Sequence, residues 1–216
     1  MAVFLYPIYT LCHFFLLIWG LSLYADSHQF GLILLIAITA AIAYDNLIIS
    51  LGRLIGKGKV LLKLSQPRFF CHVVLTPLSV IAAFSFCFQI HLKWATQPLA
   101  LVVISLVTFL LIAAEIFTYY RKFDPRIEKF QGTLRYTNAA YKMPPIPSII
   151  TTVIVGILGF ILWKQFESYW LMMSSIVMFL GGAVPQKIAG PVICSGVEVI
   201  LILGFCLTAS QIQALL

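Results

Sequence analysis

Charge is what this chain has least of. Only 10% of its 216 residues are Asp, Glu, Lys or Arg, and just seven are acidic. Globular domains carry about 25%, so there is too little charge here to solvate a water-facing surface, and a soluble domain is excluded. Cysteine chemistry is also thin. The five cysteines, Cys12, Cys71, Cys87, Cys194 and Cys206, all lie in apolar runs, with no CxxC pair and an odd total. That excludes a disulfide or zinc framework and leaves buried, reduced thiols. The adjacent pairs Cys12-His13 and Cys71-His72 lack metal-ligand spacing, no G-x-S-x-G elbow is present, and the glycines at 52, 56 and 58 do not follow the Walker A order. No cofactor or metal is expected. The opening "MAVFLYPIYTLCHFFLLIWGLSLYA" has neither a basic leader nor a small-residue cleavage pattern, which points to a retained helix rather than a signal peptide.

What is present is apolar sequence: 62% hydrophobic residues and a mean hydropathy of +1.04. Stretches long enough to cross about 30 Å of hydrocarbon fall at 2–24, 30–52, 69–91, 97–120, 147–164, 168–185 and 189–213. The expected fold is all-α, a single integral membrane bundle of seven transmembrane helices over 1–216. The fifth and sixth spans are joined only by "KQFES", and "GGAVPQ" can bend the end of the sixth. Segment 121–146 is the one sizeable loop, given a stiff exit by "KMPPIP".

The basic residues fix an orientation. Loop 53–68 carries Arg53, Lys57, Lys59, Lys63 and Arg68; loop 121–146 carries Arg121, Lys122, Arg126, Lys129, Arg135 and Lys142; Lys187 follows span six. The opposite side has only Lys93 and Lys164. By the positive-inside rule the N-terminus is cytoplasmic and the C-terminus outside. The net charge of +7 then faces anionic lipid headgroups, and no nucleic acid partner is needed. Membrane lipids and a hydrophobic small molecule are the expected partners.

Asp45, Glu115 and Glu198 are the carboxylates within the spans, and each is costly to bury ionised. At 1.5 Å per residue, Asp45 lies roughly 10 Å, Glu115 about 8 Å, Glu198 roughly 14 Å and His72 about 6 Å from the cytoplasmic ends of their helices. Four ionisable groups from four helices thus share the cytosolic half of the bilayer. Arg68, His72, Thr76 and Ser79 follow helical spacing to form one polar stripe beside Pro77. In span four Ser105, Thr108, Glu115 and Thr118 or Tyr119 share a face; in span seven Ser195 and Glu198 do, flanked by Pro191 and Gly196. A cytosol-facing pocket accounts for all of them. The competing structural reading pairs Asp45 with Arg53 or Arg68, lets Glu115 snorkel to water, and uses Asn46 and Glu198 as interhelical glue.

Two buried acids, one neutral by desolvation and one ionised beside a cation, make a general acid and base pair. Asp45 or Glu198 is the candidate donor, with His72 and Glu115 to tune or relay, Asn46 to orient the substrate, Arg53 and Arg68 to hold a polar headgroup, and Tyr44 and Tyr119 as further substrate contacts. Aromatic residues in the spans, among them Phe14, Phe15, Trp19, Phe69, Phe70, Tyr120, Trp170 and Phe179, supply faces able to stabilise a carbocation.

The stretch "AYDNLIISLG" resembles the tryptophan-aspartate-asparagine segment of the integral-membrane lycopene cyclase domain. The plan is also similar to that of the small seven-helix terpene cyclases. Asp45 and Asn46 carry the match, with Glu198 as a looser counterpart of a late-helix acid. Tyr44 stands in place of the tryptophan, and the family's Glu-Glu pair is missing. The resemblance implies acid-initiated cyclisation or isomerisation of a lipid or isoprenoid. A proton-coupled carrier or channel for a small solute is the alternative use of the same carboxylates, and a non-catalytic scaffold is the third. "GRLIGKGK" reads as a positive-inside loop, a headgroup contact or, least of all, a nucleotide loop. "VPQK" resembles the proline-glutamine turn of small sugar transporters but occurs once rather than in paired repeats.

Overall fold

The structure is a computed structural model that describes residues 1–121, 123–140, 145–184 and 186–215, with backbone alone for 186–190. It contains α1 (Ala2–Ser27), α2 (Phe30–Ile55), α3 (Lys59–Gln89), α4 (Pro98–Glu115) continuing as a π-helical turn (Ile116–Tyr120), β1 (Pro125–Phe130), β2 (Thr133–Asn138), α5 (Ile146–Phe166), α6 (Trp170–Ala183) and α7 (Gln186–Leu215). The chain is helical, as its apolar runs require when backbone groups have no water to bond. Six of the helices are long and apolar enough to cross a membrane.

The helix ends follow local chemistry. His28 closes α1 in the left-handed region, its N–H donating to the Tyr24 carbonyl at 2.7 Å, and Glu167 closes α5 in the same way on Trp163 at 3.0 Å. Pro98 opens α4, where its missing N–H costs nothing.

Neighbouring helices pack in the order α1, α2, α3, α5, α6, α7, and α7 returns to α1. Six helices therefore close a ring, and α4 lies outside it against α3 and α5. Only Thr108, Leu111 and Glu115 of α4 are buried. The core is a continuous cluster including Leu32, Leu35, Val80, Phe86, Leu162, Leu171, Ile202 and Phe205. Large apolar side chains such as Phe4, Phe15, Leu99, Val102 and Phe109 cover the outside. An apolar surface of that extent suits a lipid environment.

Three expectations are corrected. The 53–68 segment is not a loop: α2 runs to Ile55, and α3 starts at Lys59. The turn needs only three residues because Gly56 takes φ 79°, a conformation glycine adopts without steric penalty. At 31 residues α3 is about 46 Å long, longer than a ~30 Å hydrocarbon core requires, and His72 sits thirteen residues into the helix rather than near its start. The sixth span is only 14 residues, about 21 Å, too short to cross unaided.

The third correction concerns 121–146, where a two-stranded antiparallel hairpin stands in place of a loop, with Pro125 opposite Asn138 and Phe130 opposite Thr133. Gln131 and Gly132 both have positive φ, the geometry of a tight type I′ turn. The "KMPPIP" exit lies largely outside the described residues, as do Lys122, Lys142 and the proline of "VPQK". The hairpin docks at the ring end where α1 begins and α2 finishes. Leu134 packs with Ile48 and Leu61, Phe130 packs beside Ala2, Tyr6, Ile49 and Val192, and the Ala2 N–H donates to Gln131 Oε1 at 3.3 Å. A methyl group on Gly52 would collide with the Leu134 carbonyl oxygen, so that glycine permits the close approach of strand to helix.

Candidate functional site: a charged cavity inside the ring

Inside the ring, α2, α3, α5, α6 and α7, together with the π-turn and the hairpin, enclose a cavity of about 270 Å³. The stripe expected on α3 faces it as a unit: Arg68, His72, Thr76 and Ser79 all line the wall. Asp45 reaches it from α2, Ser195 and Glu198 from α7, and Tyr119 from the π-turn. π-Turns re-aim side chains that a regular helix would place elsewhere. Here the Asn138 side chain fixes the turn, donating to the Tyr119 carbonyl at 2.8 Å while its own oxygen accepts from the Asp124 N–H at 3.0 Å.

The central ion pair joins α2 to α3. Arg68 Nε donates to Asp45 Oδ1 at 2.7 Å. The Arg68 side chain is only 6% exposed, against 33% for that of Asp45. This is the pairing the structural reading anticipated, and it also places both residues on the cavity wall. The Arg68 guanidinium lies 5.6 Å from the Phe69 ring centre, within cation–π range. Its Nη1 is buried with no partner among the described residues. Glu198 differs from Asp45: no ion pair or hydrogen bond engages its carboxyl among the described residues. His72 is more open, with Nδ1 3.5 Å from Thr76 Oγ1 and its ring 6.2 Å from that of Tyr119.

Four residues expected at the site are elsewhere. Glu115 is 2% exposed but lies on α4, outside the ring; Ser148 of α5, which does line the cavity, donates to Glu115 Oε1 at 2.5 Å. Glu115 therefore clamps α4 to α5 and does not snorkel. Asn46 is fully buried behind the wall, its Nδ2 donating to the Ile42 carbonyl at 3.0 Å. Only Asp45 of the Asp-Asn pair faces the cavity. The Tyr44 hydroxyl donates to the Leu64 carbonyl at 2.8 Å and braces α2 on α3. Arg53 is exposed near the end of α2. The reason is geometric: a helix presents one stripe to the interior, residues 44 and 46 lie about 100° from Asp45 around α2, and residue 53, about 80° away, lies about 12 Å further along it, near the helix end.

A second buried guanidinium, not among the expected site residues, lines the cavity where Arg53 does not. Arg135 of β2 lines the cavity at 8% exposure, held by Glu128 through Nε at 3.1 Å and Nη2 at 2.8 Å, with Nη1 3.4 Å from the Tyr6 hydroxyl. A loop over 121–146 would put Arg135 among surface charges; the hairpin turns it inward. The signal was the alternation of "RIEKF" and "TLRYT" about a two-residue Gln-Gly turn. Of the aromatic candidates only Phe69 and Tyr119 line the cavity, joined by Phe205. Among the described residues no group of three His, Cys, Asp or Glu side chains is arranged to hold a metal ion. Neither the family models nor the curated proteins nor the solved structures provide a match to this chain.

Proposed function

We propose that this chain is a multi-pass membrane enzyme, N-terminus in the cytosol, that isomerises or cyclises an unsaturated lipid or isoprenoid by acid and base catalysis. The observation that carries this reading is the division of labour between two carboxyl groups on one cavity wall: Asp45 paired to Arg68, Glu198 without a cation. Glu198 donates a proton to a carbon–carbon double bond of the substrate, whose π electrons form the new C–H bond. The carbocation is relieved by attack of a neighbouring double bond or by loss of an adjacent proton to Asp45. His72, at the more open edge, returns that proton to Glu198. The net change is an isomerisation that requires no co-reactant. Phe69, Tyr119 and Phe205 supply ring faces beside the cationic intermediate. The Asp-Asn resemblance to the membrane lycopene cyclases supports the same chemistry, through Asp45 alone.

A proton-coupled carrier is the second reading, favoured by the closure of six helices around the cavity. It ranks below the enzyme because the wall farther from the hairpin is mostly apolar, with Leu35, Ile38, Leu201, Ile202 and Phe205 and only the hydroxyls of Thr76 and Ser79, whereas a carrier needs a polar path to both faces. The test compares lipid extracts from cells making wild type, Asp45→Asn and Glu198→Gln at matched membrane levels. A lipid product present only with wild type is expected. Identical profiles would overturn the enzyme reading and direct attention to solute and proton flux in proteoliposomes.

A further inference from the structure

The cavity alone leaves two features unexplained: buried cationic groups with donors to spare, and a volume too small for a membrane lipid. Arg68 commits Nε to Asp45, while its Nη1 is buried without a partner. Thr151 Oγ1, on the facing helix α5, is likewise buried and unpartnered, and Thr151 also lines the cavity. Leaving such a donor unmade is costly, most of all for a charged group, so an occupant that accepts hydrogen bonds is favoured here over a plain hydrocarbon. Arg135 brings a second guanidinium from the hairpin, 8% exposed, whose Nη1 has only a 3.4 Å contact to Tyr6. Two planar guanidinium groups that line one cavity from different elements suit a phosphate, which can accept from both at once.

The volume settles what else the occupant carries. About 270 Å³ falls just under the range of about 300–1,000 Å³ typical of small-molecule sites. On the bilayer side of the ring, however, α5 and α6 form a groove of about 360 Å³ walled by Val153, Gly156, Ile157, Phe160, Met172 and Phe179. Thr152 of α5 borders both the groove and the cavity.

We propose that the cavity holds the phosphate head of a single-chain amphiphile between Arg68 and Arg135, and that the chain passes over Thr152 into the groove between α5 and α6. The inference rests on the reading of the cavity as a lipid site and names the substrate class: an unsaturated chain bearing a phosphate, drawn from the cytosolic leaflet. The groove admits the chain directly from the bilayer, and the arginines fix which segment of it lies beside Glu198.

The full chain in phosphatidylcholine nanodiscs is challenged with dodecyl phosphate, dodecanol, dodecyltrimethylammonium and inorganic phosphate, with the thermal midpoint as readout. Saturable stabilisation by dodecyl phosphate alone is expected. Thr152→Trp, which fills the passage, and Arg68→Lys, which keeps the charge but loses the planar fork, are each expected to weaken it at least tenfold. Thr152→Trp stays informative if Arg68→Lys does not fold. Equal stabilisation by dodecanol would show that the head is not read, equal stabilisation by inorganic phosphate would show that the chain is not, and undiminished binding by Thr152→Trp would place the chain elsewhere. Each of these overturns the proposal. Binding of dodecyl phosphate with no lipid change in Glu198→Gln cells leaves the inference standing and removes the enzyme; a lost product without such binding does the reverse.

Discussion

Arg68 Nε lies 2.7 Å from Asp45 Oδ1, and this contact joins α2 to α3 at the wall of the central cavity. Arg68 is the more deeply buried partner, so it has more to lose when the pair is broken. Removing one member of a fully buried pair costs about 3–5 kcal/mol; with Asp45 one-third exposed, Asp45→Asn is expected to cost about 1–3 kcal/mol. A double-mutant cycle with Arg68→Leu, measured by denaturation in mild detergent, is expected to show favourable coupling between the two sites. Arg53→Gln, at an exposed position, is expected to change stability by less than about 0.5 kcal/mol.

Glu115 and Ser148 form a different kind of contact, a hydrogen bond that holds the outer helix α4 to α5. A hydrogen bond contributes about 0.5–3 kcal/mol depending on the charge of its partners. Glu115→Leu is expected to lose that amount in the same denaturation assay, while Glu115→Gln, which still accepts a hydrogen bond, retains most of it. Both variants are expected to leave the lipid product in place when protein levels are matched. Loss of product in a well-folded Glu115→Gln would instead put Glu115 in the proton relay.

Gly52 lets the β2 backbone approach α2, with the Leu134 carbonyl where a side chain would otherwise be. Gly52→Val is therefore expected to lift the hairpin at a cost of about 1–3 kcal/mol. Trypsin acting on the intact chain reads this out: cleavage after Arg126 and Lys129, exposed on β1, should accelerate several-fold over wild type. Unchanged cleavage would mean that the ring end holds the hairpin without this contact.

Orientation is tested by labelling. The hairpin packs beside Ala2 at the start of α1, so the two are expected on the same side of the bilayer. Lys129→Cys is expected to react with a membrane-impermeant maleimide only after the cytosolic face is opened, and a cysteine replacing Lys93 only from outside. The reverse pattern would invert the topology. The native cysteines are partly or wholly buried, which keeps the background low.

Much of the site was legible because helical periodicity is a local property. Arg68, His72, Thr76 and Ser79 share a face by spacing alone, and all four line the cavity; Ser195 and Glu198 do the same on α7. Glu115 is not on the cavity wall, for a reason no single-helix pattern contains. Its depth and polarity match those of Asp45, yet α4 packs outside the ring. Arg135 was missed because its strand alternation lay inside a charged segment that reads equally well as a cytosolic loop.

Composition and hydropathy determined that this chain is built of apolar helices, and periodicity determined which polar residues those helices turn inward. These follow from the cost of burying charge and from the fixed geometry of a single helix. The tertiary structure alone decided that six helices form the ring, that Arg68 rather than Arg53 meets Asp45, and that a hairpin brings Arg135 to the cavity. Those choices depend on contacts between residues far apart in the chain, Tyr6 with Arg135 and Glu115 with Ser148 among them. Such contacts are set by packing volume and shared hydrogen bonds, which local periodicity does not encode.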